Sequence, residues 1–235
     1  MNIIITRPLI EIENLMADLF NLGHRIIHIP TLKIEPIQIP EINFTEYDGI
    51  IFTSANAVRH IPNKNGRSSV NCFCVGSMTE KVARANGFSK TISANGTVNA
   101  LKNLIVNSDF IKKKAKLAYV CGDNISIDLQ SELKSEGFII EKIINYSSIK
   151  INELNNSNHE LIKKYPPDVI FVYSLRSAES FVNIVKNYSL LPMMTQSKLM
   201  CISRKIKEYF ISEGWSKLEI FNPGDEILML NNYKR

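Results

Sequence analysis

The sequence predicts an α/β protein of two similar lobes, each a parallel sheet flanked by helices, joined by a two-stranded connector. Three observations carry that prediction. Short apolar runs rich in β-branched residues alternate along the chain with helix-compatible segments, the pattern of parallel βα units. Two stretches resemble each other, DGIIFTSANAV at residues 48–58 and DVIFVYSLRSAE at 168–179. Each places an acidic residue first, an apolar run next, and a serine where strand turns into helix. Asp48 thereby pairs with Asp168, and Ser54 with Ser174, at an offset of 120. Further pairs follow at near-constant offsets: Cys74 and Gly87 match Cys201 and Gly214 at 127, and residues 3–23 match 117–137 at 114. Such a period is too long for a solenoid and reads as a degenerate duplication of a long α/β unit.

The elements follow in order. Residues 2–6 make a strand, and Pro8 suits the first turn of a helix to about Leu22, with apolar positions 12, 15, 16, 19 and 22 in helical spacing and Gly23 as its stop. Residues 25–29 make the next strand. Pro30, Pro36, Pro40 and Asn43 mark residues 31–40 as an extended, linker-like segment. The second unit has a strand at 49–52, a helix from Ala55 cut short near Pro62, and a turn-rich loop at Asn63-Lys64-Asn65-Gly66. A strand at 70–75 then meets Gly76-Ser77, which opens a helix where Ser77 and Glu80 fit a capping box and Gly87 ends it. A short strand near Thr91-Ile92 and a helix over roughly 98–106, opened by Asn95-Gly96-Thr97, complete the unit.

The third unit has a strand at 117–121, a polar turn at Gly122-Asp123-Asn124 with Asp123 read as a helix cap, and a helix to Gly137. Its strand at 139–146 stays extended through Ile149 and Ile151. Residues 152–164 leave room for a helical turn before Pro166-Pro167 forces a stop. The fourth unit repeats the second: a strand at 169–173, a helix to Tyr188, a loop around Pro192, a strand at 199–202, a helix to Gly214, a strand at 218–221 and a final helix from Asp225. The extended segments at 31–40 and 145–151 read as connector strands crossing twice between lobes. That assigns residues 1–34 plus 152–235 to one discontinuous lobe and 38–147 to the other.

A chain of 235 residues suits two domains of about 100 residues each. Its 45% hydrophobic and 22% charged residues suit a soluble globular protein. No stretch reaches the ~18 apolar residues of a membrane span, and the start runs into acidic residues instead of a cleavage site, so a cytoplasmic protein is expected. Cys72, Cys74, Cys121 and Cys201 lie in strand-like runs and read as buried reduced thiols. His24, His28, His60 and His159 have no metal-like partners at helical spacing, and no metal is expected. The net charge of +5 permits an anionic ligand, whereas the basic run Lys112-Lys113-Lys114 with Lys116 lacks the interleaved aromatics of a nucleic-acid arm. Neither nucleic acid nor membrane is an expected partner. Because two lobes already bury their sheets, a monomer is expected.

Candidate binding residues sit at the strand-to-helix turns: Thr6-Arg7, Thr53-Ser54-Ala55-Asn56, Gly76-Ser77, Gly122-Asp123, Ser174-Leu175 and Ser203-Arg204-Lys205. The carboxyl ends of parallel strands are where ligands bind, and backbone N–H groups at helix starts suit carboxylates. No G-x-G-x-x-G or Walker pattern follows a strand, which argues against nucleotide binding. Serines at such turns also cap helices, so capping and ligand binding both stand for Thr53 and Ser54. Arg7 either reaches a carboxylate or lies on the surface.

TRP at residues 6–8, FTSANAV at 52–58, VGSMTEKVARANGF at 75–88, Tyr146 ending a strand, and the Ser174 turn together resemble the uroporphyrinogen-III synthase family over nearly the whole chain. The resemblance implies a cofactor-free cyclisation of hydroxymethylbilane to uroporphyrinogen III with inversion of the terminal pyrrole ring, in haem biosynthesis. Its only implied protein partner is hydroxymethylbilane synthase, in transient handover. It further implies that Tyr146 lies in a cleft and assists departure of the substrate hydroxyl. The counterpart of Tyr146 at the offset of 114 is Leu32, so the repeat does not explain the hydroxyl. An amphipathic plug with its hydroxyl in water is the plain alternative. The implied substrate contacts are Arg7, Thr53, Ser54, Ala55, Asn56, Gly76, Ser77, Thr79, Gly122, Ser174, Ser203 and Arg204, Thr79 matching a threonine of the family's cleft. One departure stands out: where the family carries a glycine and threonines, this chain has Ser203-Arg204-Lys205-Ile206, whose cations either bind carboxylates or face solvent. A non-catalytic two-lobed binding module for a small anion or tetrapyrrole would share these turns without needing Tyr146.

Overall fold

The structure, a computed structural model, describes residues 1–62, 66–94 and 96–233. Asn63-Lys64-Asn65 of the expected loop, and Asn95, lie outside the described residues. The strands in chain order are β1 (Asn2–Ile5), β2 (Arg25–His28), β3 (Leu32–Pro36), β4 (Gly49–Phe52), β5 (Asn71–Val75), β6 (Lys90–Ala94), β7 (Lys116–Gly122), β8 (Ile139–Lys150), β9 (Val169–Val172), β10 (Lys198–Cys201) and β11 (Leu218–Ile220). The helices are α1 (Glu13–Asn21), α2 (Ala55–Arg59), α3 (Gly76–Ala85), α4 (Val98–Val106), α5 (Leu129–Ser135), α6 (Asn156–Lys164), α7 (Leu175–Asn187), α8 (Leu191–Met194), α9 (Arg204–Ser212) and α10 (Glu226–Tyr233).

The chain divides into two compact units, Met1–Lys33 with Ile149–Arg235, and Ile34–Ser148. In the first unit the sheet order is β11-β10-β9-β1-β2, parallel throughout. In the second it is β8-β7-β4-β5-β6, also parallel, with β3 beside β8 at the edge. Ile37 N–H donates to Asn145 O at 2.9 Å and Ile151 N–H to Thr31 O at 2.9 Å, so β3 and β8 run in opposite directions. The chain passes between units along these two strands. The central strands of each sheet are buried on both faces: Val169–Val172 and Gly49–Phe52 are buried at every position, as continuous apolar runs in parallel sheets require.

The two units are the same sheet. Adding 114 to β1 and β2 gives β7 and β8, adding 120 to β4 gives β9, and adding 127 to β5 and β6 gives β10 and β11. Each ladder then keeps its register: Ile3 faces Ile26 as Leu117 faces Ile140, Ile3 faces Val169 as Leu117 faces Gly49, Lys198 faces Val169 as Asn71 faces Gly49, and Leu199 faces Leu218 as Cys72 faces Thr91. The leading acidic residue of each repeat has a matching job. Asp168 Oδ2 accepts Asn2 N–H at 2.7 Å, and Asp48 Oδ2 accepts Lys116 N–H at 2.8 Å. Helix stops match as well. His24, Phe138, Phe88 and Trp215 donate their N–H to Leu19, Leu133, Ala83 and Phe210, each across a glycine with positive φ.

Local expectations failed where distant partners intervened. The Pro8 turn is a short 3-10 turn over Leu9–Glu11, and the α-helix starts only at Glu13, because Ile12 adopts φ −133° to bury its side chain in the core. Ser77 and Glu80 form no capping box: the helix begins at Gly76 without a side-chain cap, and Glu80 binds Arg84, Thr91 and Ser93 instead. Asp123 does not cap the following helix; Asp128 does, accepting Ser131 N–H at 3.2 Å. Residues 156–164 form a full helix and Leu191–Met194 a short one, where a helical turn and a loop were expected. All four cysteines are buried and unbridged. No helix among the described residues is long and apolar enough to cross a membrane.

Removing either clamp carboxylate costs its charge-assisted backbone bond, about 1 kcal/mol at these solvated positions. Urea unfolding of Asp48→Ala and Asp168→Ala checks this; no change in either variant contradicts a register role for the leading acid.

Candidate functional site

Both sheet orders reverse direction at one point, between β1 and β9 in the first unit and between β7 and β4 in the second. The carboxyl ends of strands at such reversal points are the ligand-binding edge of open parallel sheets. The order β8-β7-β4-β5 brings Tyr146, Gly122, Thr53-Ser54 and Gly76-Ser77 to one edge of the second unit. In the first unit, β1-β9-β10 brings Arg7, Ser174 and Ser203-Arg204 to the equivalent edge.

Tyr146 is placed by a bulge. Cys121 pairs with Ile144 and Gly122 with Tyr146, leaving Asn145 as the extra residue. Asn145 is fully buried, and its Nδ2 donates to Ala57 O at 2.7 Å, which pins the bulge to the start of α2. The Tyr146 ring then lies over the end of β7. A Cβ on Gly122 would stand 2.6 Å from Tyr146 Cζ and 2.9 Å from its hydroxyl oxygen, so only glycine leaves room for the ring. The neighbouring backbone holds the residue from the other side, Asp123 N–H donating to Tyr146 O at 3.0 Å. The His60 ring lies 6.2 Å from the Tyr146 ring, and burial, with the Arg59 charge adding to it, pushes the imidazole below its ordinary pKa.

The remaining residues of this edge serve in different ways. Ser54 caps α2, accepting Asn56 N–H at 3.2 Å. The Asn56 side chain is buried and holds Arg59 Nη1 at 2.9 Å. Ala55 is half-buried in the first turn of α2. The Thr53 hydroxyl stands 3.4 Å from that of Tyr119, a buried phenol pushed upward by desolvation. Gly76 adopts φ +75° with open space where a side chain would be, Ser77 is exposed, and Thr79 is buried. In the first unit, Ser174 caps α7 through Ser177 N–H at 3.0 Å and Ser203 caps α9 through Ile206 N–H at 3.4 Å. Arg7 pairs with Glu11 at 3.0 Å and stacks over Tyr173 at 4.5 Å, while the largely exposed Arg204 pairs with Glu208 at 2.9 Å.

A family model for uroporphyrinogen-III synthase HemD matches residues 13–220. The chain belongs to the uroporphyrinogen-III synthase family. Two solved members of the family share the fold at 14% identity. One is uroporphyrinogen-III synthetase from Helicobacter pylori, with a TM-score of 0.65 over 100% of this chain and 99% of that one. The other is a mutant uroporphyrinogen III synthase from the extremely thermophilic bacterium Thermus thermophilus, with a TM-score of 0.60 over 100% and 97%. No curated protein sequence matches the chain significantly.

Sequence reasoning missed Asn145, Tyr119 and His60 in this family member. A signal for the first was present: an asparagine inside the apolar strand IINYSS, matched at 114 by Thr31, also buried and polar. Nothing local marks His60, whose proximity to Tyr146 exists only in the fold.

Two expected outcomes test this geometry. Gly122→Ala costs about 1–3 kcal/mol by overpacking, and most of that cost disappears in a Tyr146→Ala background; equal costs in both backgrounds would contradict the seat. Hydrogen bonds from Ser93, Arg84 and Thr91 lower Glu80 from 4.5 to about 2, so its stabilisation is full above about 4.5 and lost as pH falls toward 2. Glu80→Gln therefore flattens the acid limb of a stability-against-pH curve, and an unchanged limb contradicts the assignment.

Proposed function

We propose that the protein cyclises hydroxymethylbilane to uroporphyrinogen III with inversion of the terminal pyrrole ring. The observation that supports this most is Tyr146: a phenol held at the strand-end edge by a bulge and a glycine seat, in a chain of the uroporphyrinogen-III synthase family. The substrate is a linear tetrapyrrole bearing acetate and propionate groups. Its hydroxymethyl C–O bond breaks as the pyrrole nitrogen supplies electrons, and the oxygen leaves as water once it receives a proton. The Tyr146 O–H hydrogen-bonds that oxygen and assists its departure as a weak acid. The azafulvene so formed is attacked by the substituted position of the terminal ring, giving a spiro intermediate that rearranges and loses a proton. No protein nucleophile enters. The hydroxyls of Thr53, Ser54 and Ser77 and the backbone N–H groups at the strand ends take substrate carboxylates.

Because hydroxymethylbilane also closes by itself to the symmetric isomer, the protein must both accelerate and steer. Single-turnover consumption of hydroxymethylbilane tests the reading. Wild type accelerates consumption over buffer, and Tyr146→Phe loses about tenfold or more of that rate, the low end of proton-donor effects or below, with its melting temperature kept. A wild-type rate equal to buffer sinks the synthase reading. An unchanged rate in Tyr146→Phe removes the donor role.

A further inference from the structure

The duplicated ladders align the two units residue by residue, so each strand-end position has a counterpart in the same chain. Four of these pairs differ in one consistent way. Arg7 corresponds to Cys121 at 114, Arg176 to Asn56 at 120, and Arg204 and Lys205 to Ser77 and Met78 at 127. All four are cationic in the first unit and uncharged in the second. They follow β1, β9 and β10, which are neighbours in the sheet, so the cations stand beyond three consecutive strand ends. Arg176 stands in the first turn of α7, and Arg204 and Lys205 in that of α9, whose serine caps leave the positive helix ends pointing the same way.

We propose that this edge of the first unit is a polycarboxylate-binding surface, on which Arg7, Arg176, Arg204 and Lys205 hold the acetate and propionate groups of the tetrapyrrole. The inference rests on the proposed function. The acid already beside Arg204, Glu208, forms a solvated i,i+4 pair that exchanges readily for a ligand carboxylate, whereas Arg7 is held between the largely buried Glu11 and the Tyr173 ring. In the second unit Arg59 donates to Asn56 Oδ1, and its counterpart in the first unit is Glu179. Chemistry favours this division. Ionising the hydroxymethyl group puts positive charge on the pyrrole, and a guanidinium beside Tyr146 would raise the energy of that step. The cations of the first unit serve binding.

The test exchanges residues for their own counterparts. Arg176→Asn, Arg204→Ser and Lys205→Met are combined in one variant, with Lys102→Gln as a control away from both edges. Uroporphyrin III, an octacarboxylate, is the probe, its binding followed by fluorescence at two salt concentrations. The triple variant binds at least about tenfold more weakly with a flatter salt dependence, its KM for hydroxymethylbilane rises in parallel, and kcat changes less than about twofold. Affinity and salt dependence within twofold of wild type overturn the inference. Loss of affinity in the triple variant of a protein that proves inactive supports this surface while sinking the proposed reaction, so the two fail separately.

Discussion

Asp168 reaches across 166 residues of sequence to the backbone N–H of Asn2, and Asp48 makes the same bond to Lys116. These bonds fix the start of the central ladder in each unit, β1 against β9 and β7 against β4. Everything at the other end of the strands depends on that start. A slip of one residue in a parallel ladder exchanges its two faces, which here are both packed cores. It would also move Arg7 or Gly122 off the strand-end edge. Register, set by a carboxylate at one end of the sheet, therefore places the polar residues at the other.

Duplication supplies the scaffold, and departures from it gather at the strand ends. Positions that define the sheet agree between copies: ladder partners, leading acids, glycine stops and the serines that cap α2 and α7. Positions at the edges differ. Leu32 is replaced by Tyr146, Thr31 by Asn145, Ile5 by Tyr119 and Tyr173 by Thr53. In the first unit Thr31, Thr6 and Ser177 bond among themselves and stay buried, tying β1, β9 and α7 together. In the second unit the matching region is opened by a bulge and filled by an aromatic hydroxyl. The same fold thus holds one closed polar cluster and one presented phenol.

The α/β class and most elements were legible because parallel strands are buried on both faces and read as unbroken apolar runs between helices. The duplication was legible because its offsets are nearly constant. What escaped was decided across space. Glu80 fits a local capping rule but binds Thr91 and Ser93, eleven and thirteen residues onward, on the neighbouring strand β6. Asp123 looks like a cap, yet its carboxylate accepts Ser148 N–H at 3.2 Å and so belongs to the Tyr146 segment. Gly122 reads as part of a polar turn, whereas the fold gives it a steric role: it leaves the Tyr146 ring a place to lie. The bulge that makes this possible inserts one residue into β8 and leaves the apolar pattern on either side intact, so periodicity alone does not reveal it.

The central claim is that this scaffold steers a tetrapyrrole closure as well as speeding it. The porphyrin isomer ratio tests it most directly, with hydroxymethylbilane generated in situ, the chain added, and the oxidised products separated. Predominantly isomer III is the result expected of the wild-type protein. Isomer I alone, formed at the rate seen in buffer by a protein shown to be folded, would contradict the account and leave a binding protein in its place.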